Sequence, residues 1–435
     1  MATPESSDSK TRQFYMPMAI LAALFGIIGM LSWVNAMLIP YFKTACELSH
    51  TQSYFVALAF YIAYLVMSTP ASKLIDKVGY KRGIVCGLFL VSAGTLAFVP
   101  AAWSREYAAF LCGLFTIGTG LAILQTAINP YVTNLGPIET ATKRISVMGL
   151  ANKTAGILAP LVFAAVILKS SDSVLFEELK NNALSGAAKT EALNELIGRV
   201  VKPYAALSLF LFLFGVLVYF SGLPELKIKK NENSECRDSD RSSPFAYPYL
   251  IFGAIAIFFH VASQIIAIDT IISYAHTMGF DINSAKIFPS ITLTCTLLGY
   301  IMGIILIPRF TSQKTMLQIC VVLGLLLSCC VMGFDFDVSL FGMKTKASIW
   351  FLCLLGFPNA LIYAGIWPLA IRGLGKWTNR GASFMVMALC GNAVMPVLYG
   401  MLADKTNPHF AYILLIPCFA YLIFFAFKGY KIEKW

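Results

Sequence analysis

Residues 225–243 read ELKIKKNENSECRDSDRSS, and the reading of this polar run decides the fold. Its charges, Asn and Ser offer too little apolar surface to pack, so it reads as a flexible linker. On either side, charged clusters cut the chain into six apolar stretches before it and six after. The first six are 14–42, 52–74, 83–103, 107–133, 144–169 and 202–223. The second six are 247–277, 284–307, 315–334, 346–371, 379–402 and 408–428. Each has about 20–30 residues, enough to cross a hydrocarbon layer about 30 Å thick. Composition agrees: of 435 residues, 58% are hydrophobic and 13% charged, and the mean hydropathy is +0.73. A water-soluble protein of this size needs far more charge to cover its surface. The expectation is an all-α membrane protein of twelve helices in two six-helix halves, 1–223 and 247–435, joined by a cytoplasmic linker at 224–246.

The net charge of +11 does not point to nucleic acid, because of where the cations fall. Lys73, Lys77, Lys81, Arg82, Lys143, Arg144, Lys227, Lys229 and Lys230 all lie on one set of loops if the N-terminus is inside. Arg309, Lys314, Arg372, Lys376, Arg380, Lys428, Lys431 and Lys434 continue the alternation. Cytoplasmic loops carry this bias, so both termini of a multi-pass protein are expected in the cytoplasm. The first stretch is too long, and too poor in a cleavage site, for a removable signal peptide. The 11 Cys lack metal-ligand spacing and read as small apolar residues, Cys329–Cys330 included. No phosphate loop, nucleophile–base pair or metal cluster is evident, which argues against an enzyme and against a cofactor.

The loop after the second stretch, Ser72-Lys-Leu-Ile-Asp-Lys-Val-Gly-Tyr-Lys-Arg82, resembles the signature G-x-x-x-D-[RK]-x-G-x-[RK]-[RK] of the major facilitator superfamily, with Ser72 in place of the first Gly. Gly79 suits a tight turn, and Asp76 can accept from a helix N-terminus or a cation. Asp76, Gly79 and Arg82 therefore read as a conformational latch, or else as a solvated charge cluster at the membrane edge. The fold so implied places a solute near the midplane between alternately rocking halves. The long outer loop at 170–200 reads as an amphipathic surface helix over the fifth and sixth stretches.

Polar side chains inside apolar spans are expensive and usually face a cavity. In the fourth stretch Gln125 and Asn129 lie one turn apart, ahead of Pro130. Their amides both donate and accept, as hydroxyl recognition requires, although interhelical hydrogen bonding would use them equally well. The fifth carries Asn152 and Lys153, the latter about 13 Å past Arg144 at 1.5 Å per residue. Lys153 is the one cation that no loop claims. The seventh holds His260 (core residue or proton carrier), Gln264 and Asp269. Asp269 is the carboxylate that falls inside a span, a candidate ion or proton site unless it merely meets outer water. Counting along straight helices makes a direct Lys153–Asp269 pair doubtful. In the tenth, Asn359, Tyr363 and Trp367 form a stripe suited to gripping a pyranose, or simply to packing. Asn35, Gln52 and Asn392 complete the candidate set.

The segment Gln125-Thr-Ala-Ile-Asn-Pro-Tyr-Val-Thr-Asn-Leu-Gly-Pro137 is similar to E-T-A-x-N-P-[YF]-V-T-x-L-G-P of the L-fucose permease family, the fucose–galactose–glucose proton symporters. Asn35-Ala-Met-Leu-Ile-Pro-Tyr-Phe-Lys resembles that family's first-span pattern. Asn152 to Pro160 and Asp269-Thr-Ile-Ile look like the bacterial glucose/galactose transporter branch, and Gly381 through Asp404 follows the eleventh span. The resemblance runs end to end. It implies uptake of a hexose or related sugar through a bacterial inner membrane, by a chain expected to act as a monomer. It also implies Asn35, Gln125, Asn129, Asn152, Lys153, Gln264, Asn359, Tyr363 and Asn392 as sugar-binding candidates. Two departures matter: the family's first-span acid falls on Ala36 and its fourth-span acid on Gln125. Alanine and an amide cannot titrate, so proton coupling does not carry over. Asp269, with Lys153, is the remaining coupling candidate, and H+, Na+ or no coupling all stay open. The alternatives are an exporter of amphiphilic small molecules or a membrane sugar sensor that does not transport.

Overall fold

A computed structural model describes residues 4–48, 52, 55–137, 140–167, 186–225, 243–280, 285, 287–307, 309–340 and 342–435. Among these, 11 helices are long and apolar enough to cross a membrane. They fall on every expected stretch except the fifth. There the helix Ala141–Ile167, 27 residues long, occupies the expected stretch. Counting it gives twelve spans. The first is Pro4–Ala45, the second Phe55–Val78, the third Tyr80–Ser104 and the fourth Tyr107–Asn134. The fifth is Ala141–Ile167 and the sixth Val201–Phe220. The seventh is Pro248–Ala275, the eighth Ile287–Leu306 and the ninth Gln313–Gly333. The tenth is Ala347–Ile371, the eleventh Gly375–Lys405 and the twelfth Phe410–Lys431. Helices are the physical answer here because hydrocarbon offers backbone N–H and C=O groups no partner but the chain itself.

The described residues fall into two compact units that do not follow the linker. One comprises Gly26–Ala127 and Thr154–Glu225; the other comprises Met1–Phe25, Ile128–Lys153 and Leu226–Trp435. In the first unit, glycines let backbones touch. Gly87 and Gly94 of the third span meet Gly120 and Gly113 of the fourth so closely that an added β-carbon would lie 2.7–3.2 Å from the facing carbonyl. Small-residue contacts of this kind stand in for the hydrophobic drive that lipid does not supply. The third span also packs along the sixth, where Ser92 and Ser208 exchange hydrogen bonds to each other's carbonyls at 2.8 Å.

In the second unit the seventh span packs against the tenth, eleventh and twelfth, and the ninth against the tenth and twelfth. The seventh is interrupted at Thr270, between helices Pro248–Asp269 and Ile271–Thr277. Thr270 braces the interruption, donating to the Ile266 carbonyl at 2.6 Å and meeting the Tyr412 hydroxyl at 2.9 Å. Between the ninth and tenth spans a short hairpin, β1 (Asp337–Leu340) with β2 (Met343–Lys346), adds the small β element that the all-α expectation lacked.

The outer loop does contain a helix, Gly186–Gly198, with Leu193, Leu196 and Ile197 buried along one face; residues 168–185 lie outside the described residues. Its described contacts differ from the expectation of a cover over the fifth and sixth spans. The Tyr41 hydroxyl of the first span donates to the Leu196 carbonyl, and Arg105, just past the third span, reaches Asn194 at 3.2 Å.

Candidate functional site

Each unit carries part of the polar set. In the unit containing Gln125, its amide donates to the Tyr64 hydroxyl at 3.2 Å while the rest of the side chain stays half-buried. Gly118, two turns earlier on the same helix face, seats the fourth span closely against the Phe60 carbonyl and Ala63 of the second.

The other unit holds the denser cluster. Lys153 is 5% exposed, and its Nζ donates to Gln264 Oε1 at 3.1 Å. It also lies within Coulombic range of Asp269 and His260. Arg144 is itself buried in a helix that begins at Ala141, and Lys153 meets Gln264, five residues before Asp269. Asp269 ends the first half of the broken seventh span.

The tenth-span stripe faces this group. Ser263 donates to the His260 carbonyl at 2.8 Å and lies 3.4 Å from Asn359 Oδ1. Tyr363 stacks on Trp367 at 5.6 Å between ring centroids and meets His260 at 6.2 Å. Among the described residues, four atoms in this unit are buried with no hydrogen-bond partner: Asn129 Nδ2, His260 Nδ1, Trp367 Nε1 and Ser383 Oγ. Buried polar atoms are nearly always satisfied, so unpaired ones beside an aromatic stripe mark a place where water or a hydroxylated ligand completes the bonding.

Other candidates separate from this cluster. Asn152 gives its amide to the Phe25 carbonyl at 3.0 Å, a tie between the fifth and first spans. Asn392 sits half-buried on the eleventh span, whose Gly391 packs on the Phe258 carbonyl. Gln52 is exposed, and its carbonyl accepts from the Tyr107 hydroxyl at 2.7 Å. Asn35 lies on the first span, but its side chain is outside the described residues.

The latch residues form a one-residue turn. Gly79 has φ +85° and caps the third span, and its N–H returns to the Ile75 carbonyl at 2.8 Å. The Glu225 carboxylate fills the space beside it, 2.1 Å from where a β-carbon would stand. Lys81 donates to the Ser221 carbonyl at 2.6 Å, while Asp76 and Arg82 are exposed. Ser72, where the signature has glycine, is buried with its hydroxyl unpartnered.

Two residues were not recognised in the sequence as functional. Arg144, read there as a loop cation, sends its guanidinium to the carbonyls of Val132, Thr133, Gly136 and Pro137, and to the Thr140 hydroxyl at 2.6 Å. The segment following Asn129 and Pro130 is wound around this cation, at the negative end of the fourth span's dipole. Gln313, first residue of the ninth span, accepts from the backbone and hydroxyl of Thr142, and that hydroxyl also reaches the Ala364 carbonyl at 3.1 Å. An arginine directly after the signature was the signal available for Arg144; a lone Gln at a helix start carried none.

Comparison with known proteins agrees with this arrangement. The Major Facilitator Superfamily sequence model matches residues 20–343. A glucose/galactose transporter of Brucella abortus biovar 1 is 29% identical over 426 residues, covering 98% of this chain and 97% of its own length. An L-fucose-proton symporter of Haemophilus influenzae is 28% identical, covering 97% and 98%. The crystal structure of the facilitator transporter FucP in its outward conformation superposes with a TM-score of 0.80 at 26% identity, over 95% of this chain and 99% of that one. Twelve spans, a signature turn at Gly79 and a family match over most of the length make this chain a member of the major facilitator superfamily.

Proposed function

We propose that this protein is a bacterial inner-membrane transporter of a hexose or related sugar, of the glucose, galactose and fucose class, working by alternating access. The observation that carries the reading is the cluster of Lys153, Gln264, Asn359, Tyr363 and Trp367, with His260 Nδ1 and Trp367 Nε1 lacking a described partner beside the aromatic stripe. Flat rings over sugar C–H faces, with amide and ring N–H groups to hydroxyls, are the usual means of pyranose recognition. Gln125 adds an amide of suitable chemistry, and the glucose/galactose transporter and L-fucose-proton symporter among the relatives point to the solute class. The bias of the loop cations supports an orientation with both termini in the cytoplasm. On that orientation the sequence halves 1–223 and 247–435 rock about the solute, and Asp76, Gly79 and Arg82 latch one state.

Coupling, where present, runs through Asp269 with Lys153 as its electrostatic partner. Ala36 and Gln125 hold the positions of the titrating acids in proton symporters of this type and cannot replace them. The test is uptake of radiolabelled glucose, galactose, fucose and N-acetylglucosamine into proteoliposomes, with pH and sodium gradients imposed separately. Accumulation driven by one gradient and lost in Asp269→Asn is the expected result. Equilibration without accumulation would make the protein a uniporter, and no sugar movement would overturn the reading.

A further inference from the structure

Away from the sugar cluster, the ninth and twelfth spans leave a groove of about 410 Å³ on the outside of the molecule. Thr315, Ile319, Val322 and Leu326 form its stripe at helical spacing, with Gln318 and Leu323 beside them and Phe427 opposite. From Thr315 to Leu326 the stripe rises about 16 Å at 1.5 Å per residue, close to half of a hydrocarbon core about 30 Å thick. The groove therefore has the length of one leaflet.

Its walls are pinned at both ends. At the deep end the Phe419 ring sits against Gly324, 2.1 Å from where a β-carbon would stand. At the shallow end Gln318 Nε2 donates to the Ala426 carbonyl at 3.0 Å. Ile319 and Val322 between these ties, and Leu326 and Phe427 just beyond them, stay exposed. The furrow is thus a fixed feature of the helix pair rather than a gap that side chains can close.

The shallow end is basic. Lys314 precedes the stripe, Lys428 follows Phe427, and Lys431 lies one turn on; all three are exposed. Lys314 and Lys431 both carry their ammonium groups 5.5 Å from the centroid of the Tyr430 ring, which gathers them at one spot. The carboxylate nearby, Glu433, pairs with Arg372 at 3.5 Å.

We propose that this groove binds an anionic glycerophospholipid, with one acyl chain along the ninth-span stripe and the phosphate among Lys314, Lys428 and Lys431. An apolar furrow of leaflet length ending in clustered lysines matches the two ends of such a molecule, and cations at a membrane surface favour anionic over zwitterionic headgroups. The proposed orientation places the site in the cytoplasmic leaflet. The binding itself does not depend on what the protein transports.

The test is native mass spectrometry of the full-length protein, purified in micelles holding equal phosphatidylglycerol and phosphatidylcholine. The expected result is retention of one phosphatidylglycerol, favoured over phosphatidylcholine by about tenfold. Leu326→Trp, which fills the furrow, and the pair Lys314→Gln with Lys428→Gln should each abolish that preference. Leu298→Trp, on the exposed face of the eighth span, should keep it. A phosphatidylglycerol-dependent rise in melting temperature, present in wild type and Leu298→Trp and absent in the groove variants, separates lost binding from lost folding. Equal retention of the two lipids, preference surviving in Leu326→Trp, or equal loss in Leu298→Trp would overturn the proposal. Because the readout is lipid retention, a failure of sugar uptake leaves this result interpretable.

Discussion

Arg144 commits its guanidinium to four carbonyls and a hydroxyl at the end of the fourth span. An ammonium cannot span that set, so Arg144→Lys should leave buried carbonyls unpaired and cost about 3 kcal/mol. The check is the melting temperature of the purified variant, which should fall clearly below wild type. Lys153 behaves differently. Burying a cation against a neutral amide is unfavourable for folding, so Lys153→Met should fold at least as well as wild type. If Lys153 serves the solute and Asp269, the same variant loses most uptake; undiminished uptake would reduce Lys153 to a structural tie. Gly79 sits at φ +85°, where a β-carbon costs about 1–2 kcal/mol before any contact is counted. Gly79→Ala must also displace Glu225, so both stability and transport rate should drop, as melting and initial-rate uptake would show. Of these three, Gly79 and the burial of Lys153 were legible in the sequence, and the commitments of Arg144 were not. Arg144 and Lys153 are both cations in one stretch of sequence, and which of them faces carbonyls is settled by chain segments that lie elsewhere.

At the scale of the helix, the hydropathy pattern was enough to place most spans within a few residues, although the first helix begins ten residues before its predicted stretch. The predicted 107–133 is observed as Tyr107–Asn134, and 315–334 as Gln313–Gly333. What periodicity could not supply was the pairing of faces. Gly87 and Gly94 oppose Gly120 and Gly113 because antiparallel neighbours repeat at the same interval, and the carbonyls across the seam leave no room for a side chain. Gly120→Val should therefore wedge the third and fourth spans apart at about 1–3 kcal/mol. Gly400, which meets nothing within 4 Å, should accept Ala with little change. Thermal unfolding of the two variants side by side measures the difference. The break at Thr270 was equally illegible, since no Gly or Pro announces it; the Tyr412 hydroxyl from the twelfth span helps hold it.

For the molecule as a whole, the compact units cut across the linker. Ile128–Lys153, from the fourth and fifth spans, clusters with Leu226–Trp435. The Thr142–Gln313 contact lies inside that unit and ties the start of the fifth span to the start of the ninth. A transport cycle in which the halves rock has to break it. Thr142→Cys combined with Gln313→Cys should therefore cross-link under mild oxidation and stop uptake, and reduction should restore it. Either single variant should transport under both conditions. Uptake persisting in the cross-linked protein would show that this contact stays closed throughout the cycle.

The sequence by itself determined the solvent, the span count and the family resemblance. All of these depend on composition and local pattern, which burial in a bilayer imposes residue by residue. Only the tertiary structure decided which polar residues meet. Lys153 finds Gln264 across 111 positions of chain, and Thr142 finds Gln313 across 171. Hydropathy marks a side chain as costly to bury, but the partner that makes it tolerable belongs to another helix, and only the packing of spans brings that helix alongside.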